Sequence, residues 1–204
     1  MIGEPVVKST FRPIRLEKFV TKRDCEGVIE STNGYHKSRT ISQDNRIVID
    51  PMTRKSKTKF VTPSDSDSHA RVIQEINRYM IDSFGVYKST AQITKYEKTD
   101  FFEIHSDALT EEQMPDFGEQ RLWTALLYLN DDFKGGQTYF PKIPEIIYPR
   151  QGDVIIWPNV DENMKIIQDF DHKSLTVVNG TKYVAVFLFY ANISKKNDER
   201  IDVV

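Results

Sequence analysis

Hydrophobic positions along the chain change period near residue 85. Before it, two segments repeat apolar residues at helical spacing. The first starts near Thr21, where Thr21 and Asp24 fit a capping-box-like start. It carries Cys25, Val28 and Ile29 on one side and stops at Asn33-Gly34. The second follows "SDSDSH", repeats Val72, Ile73, Ile76, Tyr79, Met80 and Phe84, and ends at Gly85. "FRPIRLEKFV" reads as a short strand ahead of the first helix. Between the helices, "DPMTRKSKTKFVTPSDSDS" (residues 50 to 68) is polar and mixed in charge. It predicts a long loop, with Arg54, Lys55, Lys57 and Lys59 as solvated surface. After Gly85 the chain breaks into short β-like runs: "AQITKYE", "FFEIHSDAL", "RLWTALLYLN", "GQTYF", "DVIIWP", "SLTVVNG" and "KYVAVFLFYANI". Asn130-Asp131-Asp132, Gly135-Gly136, Gln151-Gly152 and Asn179-Gly180 punctuate them as turns. Many short strands after two helices predict a mainly β chain with flanking helices (α+β), built as a sandwich or jelly roll. The expected organisation is one domain over residues 1–204. Helical support runs to about residue 88, a β core covers about 89–193, and a charged tail, 194–204, frays or lies on the surface.

Composition narrows the options. With 204 residues, 39% of them hydrophobic and 11% aromatic, the chain can bury a sizeable core. Mean hydropathy is -0.50, which fits a well-solvated surface. A net charge of -2 gives no overall attraction to nucleic acid or to an anionic membrane. The single cysteine, Cys25, excludes a disulfide framework within the chain and favours a reducing intracellular compartment. Cys25 itself reads as a helix packing residue. No stretch approaches the roughly 18 apolar residues of a membrane span, and "MIGEPVVKSTFRPIRLEKFV" lacks the apolar core of a secretory signal. A cytoplasmic or otherwise soluble intracellular protein is expected, with no membrane partner.

The candidate chemistry lies in "YEKTDFFEIHSDAL". In a strand, residues two apart share a face, so His105 and Asp107 can present an imidazole and a carboxylate side by side. Of the remaining histidines, His36 and His69 sit in polar segments and read as surface residues. His172 opens a β-like run far downstream. Two histidines and one carboxylate form the facial triad of non-haem Fe(II) oxygenases. His105 alone also fits a plain strand histidine paired with Asp107. Lys182 lies ten positions after His172, past the Asn179-Gly180 turn. A turn there would fold its strand back beside the His172 strand. A lysine opening so apolar a strand needs an anion if it points inward. A dicarboxylate that chelates iron at one end would place its other carboxylate there; an outward-pointing lysine is the alternative. Trp123 and Trp157 read as core.

"QITKYEKTDFFEIHSD", "GGQTYFP" and "HKSLTVVNGTKYVAVFLF" together resemble the catalytic domain of prolyl 4-hydroxylases, which are Fe(II)- and 2-oxoglutarate-dependent dioxygenases. The resemblance covers roughly residues 90 to 192. It implies a double-stranded β-helix (jelly-roll) core. It implies that His105, Asp107 and His172 hold iron and that Lys182 binds the distal carboxylate of 2-oxoglutarate. Tyr96 would hydrogen-bond the same co-substrate, Thr138 would line its pocket, and Arg121 would contact a peptide near the metal. Dioxygen is the second co-substrate, succinate and CO2 are co-products, and ascorbate maintains the ferrous state in many such enzymes. The implied partner is a proline-containing peptide or protein.

Two positions depart from the family pattern: Phe102 stands where a tyrosine is usual, and Leu188 where a tryptophan is usual. Both make the mouth more apolar and roomier, so collagen-like and poly-proline repeats are expected to bind poorly. Residues 50–68 and "DALTEEQMPDFGEQ" after Asp107 are expected to flank the mouth. Three rivals remain open: the same enzyme class acting on a free amino acid, small metabolite or nucleobase; a metal-binding jelly roll without activity; and a zinc hydrolase, for which no HExxH-like motif occurs.

Overall fold

The computed structural model describes residues 12–42, 44–86, 88–113 and 119–192. Two antiparallel sheets carry the architecture. The larger runs, in spatial order, through strands Ile14–Leu16, Val154–Pro158, Glu119–Tyr128, Lys182–Asn192, Lys88–Tyr96, Lys57–Val61 and His36–Lys37. The smaller runs through Glu145–Ile147, Thr138–Phe140, His172–Ser174, Phe101–His105 and Arg54–Lys55. This is a jelly roll with two helices on one side.

Strand alternation explains the layering. In the central strand Lys182–Asn192, Lys182, Val184, Val186, Leu188 and Tyr190 line the cavity between the sheets. The intervening Ala185, Phe187 and Phe189 pack on the opposite face, in a core shared with the helices. Buried on both faces, the strand reads as a nearly continuous apolar run. The second core, between the sheets, joins Tyr128, Ile155 and Trp157 of the larger sheet to Phe140 and Val177.

The first helix, α1, spans Lys22–Ser31, and the Thr21 hydroxyl accepts from the Asp24 N–H as its N-cap. The second, α2, spans Asp67–Phe84. The Ser66 hydroxyl accepts from the His69 N–H, and Gly85 closes the helix in a left-handed conformation at φ 64°. Gly27 lets the helices approach: a Cβ there would stand 2.2 Å from Ser68 Oγ. Cys25 is 0% exposed in this packing, and burial pushes its thiol up to about 12.

Four sequence expectations change. Residues 50–68 are not one loop: they form the strands Arg54–Lys55 and Lys57–Val61 before α2 begins. His69 is not a surface residue but 1% exposed. Thr32 Oγ1 donates to Val28 O, so it accepts from His69 Nε2–H at 3.0 Å; Ser66 Oγ lies 2.8 Å from the other ring nitrogen. Burial accordingly holds the His69 imidazole below its ordinary pKa, with Asp65 opposing. The Lys182 strand does not lie beside the His172 strand; the two belong to opposite sheets and face each other. Finally, the strand carrying His105 ends at that residue, so Asp107 sits on the bend that leaves it. Part of the "DALTEEQMPDFGEQ" segment, residues 114–118, and the charged tail from Ser194 lie outside the described residues.

Candidate active site

The two sheets enclose a cavity of about 410 Å³. His172 and His105 face each other in register on neighbouring strands of the smaller sheet. Their ring centroids are 4.3 Å apart. Asp107 stands between them, with Oδ1 3.7 Å from His105 Nε2 and Oδ2 3.8 Å from His172 Nε2. The donor atoms of the three residues lie within 4.8 Å of one another.

Hydrogen bonds fix which atoms face the common point. His105 Nδ1 lies 2.7 Å from Glu103 O, and His172 Nδ1 lies 3.0 Å from Phe170 O. A carbonyl can only accept, so each Nδ1 carries the proton and each Nε2 keeps its lone pair. Burial, aided by the neighbouring His172, drives the His105 pKa down to about 3, which keeps the imidazole neutral. Burial opposes ionisation of Asp107, but His172, His105, the Thr124 hydroxyl and Arg121 outweigh it and hold the carboxyl below its usual range. The Thr124 hydroxyl donates to Asp107 Oδ2 at 2.7 Å and is itself approached by the Asn159 amide at 3.0 Å. Two imidazole Nε2 atoms and one oriented carboxylate on a single point fit a ferrous ion.

Lys182 projects into the same cavity from the larger sheet and is 1% exposed. Its ammonium donates to Gly136 O at 2.7 Å and to Ser174 Oγ at 2.8 Å. It lies 4.9 Å from the Tyr96 ring centroid and 5.8 Å from that of Tyr128. No carboxylate pairs with it among the described residues. Burial accordingly lowers its pKa to about 7. Gly135 and Gly136 take φ values of 79° and 68°. A Cβ on Gly136 would come within 3.1 Å of Lys182 Cδ, so the glycine pair shapes the lysine's berth.

The other expected residues also line the cavity. Tyr96 pairs with Lys182 across two strands, and its hydroxyl lies against Ser56 and Arg54. The Thr138 hydroxyl is 2.7 Å from the Tyr128 hydroxyl. Arg121 donates to the main-chain carbonyl of Asp107 at 3.1 Å, while its buried Nε has no partner. Phe102 stacks on His105 with ring centroids 3.5 Å apart, and Leu188 lines the wall. Trp157 is core, as expected, and also lines the cavity edge-on to His172 at 4.8 Å.

Sequence reasoning missed Arg54, Thr124, Asn159 and Ser174. Arg54 is not solvated surface: its guanidinium lies over the Phe102 ring, 4.5 Å from the centroid, and faces the cavity. The available signal for Thr124 was a small polar residue inside the apolar run "LWTALL".

Comparison with known proteins assigns this arrangement. Residues 91–190 match the model of the 2OG-Fe(II) oxygenase superfamily. Prolyl 4-hydroxylase 13 of Arabidopsis thaliana is 26% identical over 193 residues, covering 85% of this chain and 69% of the relative. Among solved structures, the viral collagen prolyl hydroxylase of Paramecium Bursaria Chlorella virus-1, in complex with 2OG, superposes with a TM-score of 0.71 at 20% identity. That match covers 91% of this chain and 99% of the viral one. The Trichoplax adhaerens prolyl hydroxylase, in complex with a hypoxia inducible factor peptide fragment, gives 0.70 at 12% identity and covers 94% and 89%. Family, triad and fold define a 2-oxoglutarate- and Fe(II)-dependent dioxygenase. Within that class the chain is prolyl 4-hydroxylase-like. No helix among the described residues is long and apolar enough to cross a membrane.

Proposed function

We propose that this enzyme hydroxylates a prolyl residue in a peptide, with His105, Asp107 and His172 holding the iron and Lys182 holding 2-oxoglutarate. The observation that carries the reading is Lys182: a buried ammonium with neutral partners only, facing the triad across one cavity. A metal site alone needs no such charge. An anion placed against Lys182 relieves the cost of burying it unpaired.

The iron supplies activation of dioxygen, and the protein's residues bind, aim and exclude water. Gly136 O and Ser174 Oγ orient the Lys182 ammonium toward the distal carboxylate. Tyr96 and Thr138 flank the co-substrate with hydroxyls. Phe140 and Trp157 pack beside His172 and keep that side dry. Thr124 fixes the angle of Asp107. Arg121, already donating to one main-chain carbonyl, offers its remaining N–H groups to a peptide backbone. A proline-containing segment enters in extended form at low entropic cost. With Phe102 and Leu188 at the mouth, the favoured sequence differs from collagen-like and poly-proline repeats. Ascorbate serves as the external reductant.

The test is a panel of proline-containing peptides incubated with iron, 2-oxoglutarate, ascorbate and air. Tandem mass spectrometry should locate the gain of one oxygen atom on proline, with succinate released in step. Modification of a free metabolite or nucleobase and of no peptide would defeat the prolyl assignment.

A further inference from the structure

The charges around the cavity are unequal. Among the described residues, Asp107 is the only carboxylate that lines it, whereas Arg39, Arg54, Arg121 and Lys182 all do. On the proposed reading, a ferrous ion and the Lys182 ammonium are matched by Asp107 and the 2-oxoglutarate dianion. Three guanidinium groups are left over.

The hydrogen bonds of Arg54 and Arg121 go only to neutral acceptors, and the one carboxylate that acts on both is Asp107, already matched to the metal. Arg54 donates to Ser56 Oγ at 3.2 Å, to Arg39 O at 3.2 Å and to Thr58 Oγ1 at 3.3 Å. Arg121 donates to the Asp107 main-chain carbonyl, and its Nε stays unpaired. Arg39 is exposed at the rim, beside Arg54, and among the described residues no ion pair engages its side chain. Arg54 and Arg121 also stand close enough to repel each other across the mouth. Like charges held together in a partly desolvated site are unfavourable until an anion lies between them. The other rim residues Ile41, Ile47 and Phe60 are apolar and offer no counter-charge.

We propose that the enzyme selects acidic peptides, with an Asp or Glu next to the hydroxylated residue seated between Arg54 and Arg121, and with Arg39 drawing further acidic side chains to the rim. This rests on the peptide reading above. The reach is adequate: an extended chain advances about 3.3 Å per residue, and Arg121 bonds directly to the main chain of Asp107.

The experiment uses the iron- and 2-oxoglutarate-loaded enzyme under nitrogen, and fluorescent peptides of one length with a central proline flanked by Asp, Asn or Lys. Binding is read by anisotropy, and oxygen is then admitted to read hydroxylation by mass. The Asp peptide should bind at least about tenfold tighter than the Asn peptide, the advantage should shrink as salt rises, and Arg39→Glu should reduce it. Equal binding of the Asp and Asn peptides, or preference for Lys, overturns the proposal. So does a single-stranded oligonucleotide that outcompetes the Asp peptide. Selective binding of the Asp peptide without oxygen gain on any proline leaves the acidic selectivity standing and defeats the prolyl reading instead.

Discussion

Binding of 2-oxoglutarate should take up a proton, and Lys182 is the group that receives it. Burial has lowered its pKa from 10.5 to about 7. At about 1.4 kcal/mol per pH unit, that difference is a preference of roughly 5 kcal/mol for the neutral amine. The sign follows directly. The folded value lies below the unfolded one, so between about pH 7 and 10.5 the unfolded chain carries a proton that the folded chain lacks. For this group, stability is greatest above that window, falls as pH drops through it, and levels off below about 7. A carboxylate against the ammonium reverses the preference. At about pH 8.5 the free lysine is mostly neutral, so binding should take up close to one proton, and affinity should weaken by up to about tenfold per pH unit above 7. Anaerobic calorimetry of the ferrous protein in two buffers of different ionisation enthalpy counts that proton. Lys182→Met should abolish the uptake and raise the dissociation constant by at least about tenfold. No uptake in the native protein, or the same uptake in Lys182→Met, would refute the pairing.

Four other outcomes follow from the geometry. Thr124→Val removes the hydroxyl that orients Asp107 and should weaken metal binding by about 10- to 100-fold; a metal titration giving the native affinity would show the bond to be incidental. His172→Ala and Asp107→Ala should eliminate peptide-dependent succinate release with unchanged circular dichroism, while exposed His36→Ala should be silent. His69→Ala should lower stability by about 1–3 kcal/mol, because it empties the place of a buried ring and leaves partly buried hydroxyls without their mate; urea denaturation reads this, and a native midpoint would contradict it. Gly136→Ala should raise the 2-oxoglutarate requirement by crowding Lys182, seen as a higher KM with little change in the iron requirement.

The chemistry was more legible in the sequence than the walls around it. The convergence of His105, Asp107 and His172, and the inward-facing Lys182, could be read because the candidate chemistry calls for particular residue types at constrained positions. The helix caps were legible for a similar reason: Thr21 and Gly85 do local jobs that few residues can do. Arg54 was not legible. Its strand is two residues long, and the next strand exposes Phe60 while burying Val61, so alternation carries no clean in–out signal. A sheet edge that lines a polar cavity looks like a solvated loop to any reading based on hydrophobicity. His69 failed for a different reason: its partners Ser31 and Thr32 lie on another helix, and only the packing of α1 on α2 brings them within reach. The neighbour of the Lys182 strand is not legible either: an Asn-Gly turn predicts a return within one sheet, whereas the strand at Lys182 belongs to the sheet opposite that of His172.

Cys25 gives this chain a built-in clock. It is the only thiol, it has no exposure, and burial keeps it protonated far above neutral pH. A disulfide reagent added to the folded enzyme should therefore react only as fast as the α1–α2 packing opens. At saturating reagent, where reaction outpaces reclosing, the rate of that single reaction reports how fast the packing around Cys25 opens, without a spectroscopic label and without engineering a residue. Because the thiol sits on the far side of the sheet from the oxidising centre, it should also survive repeated turnovers intact.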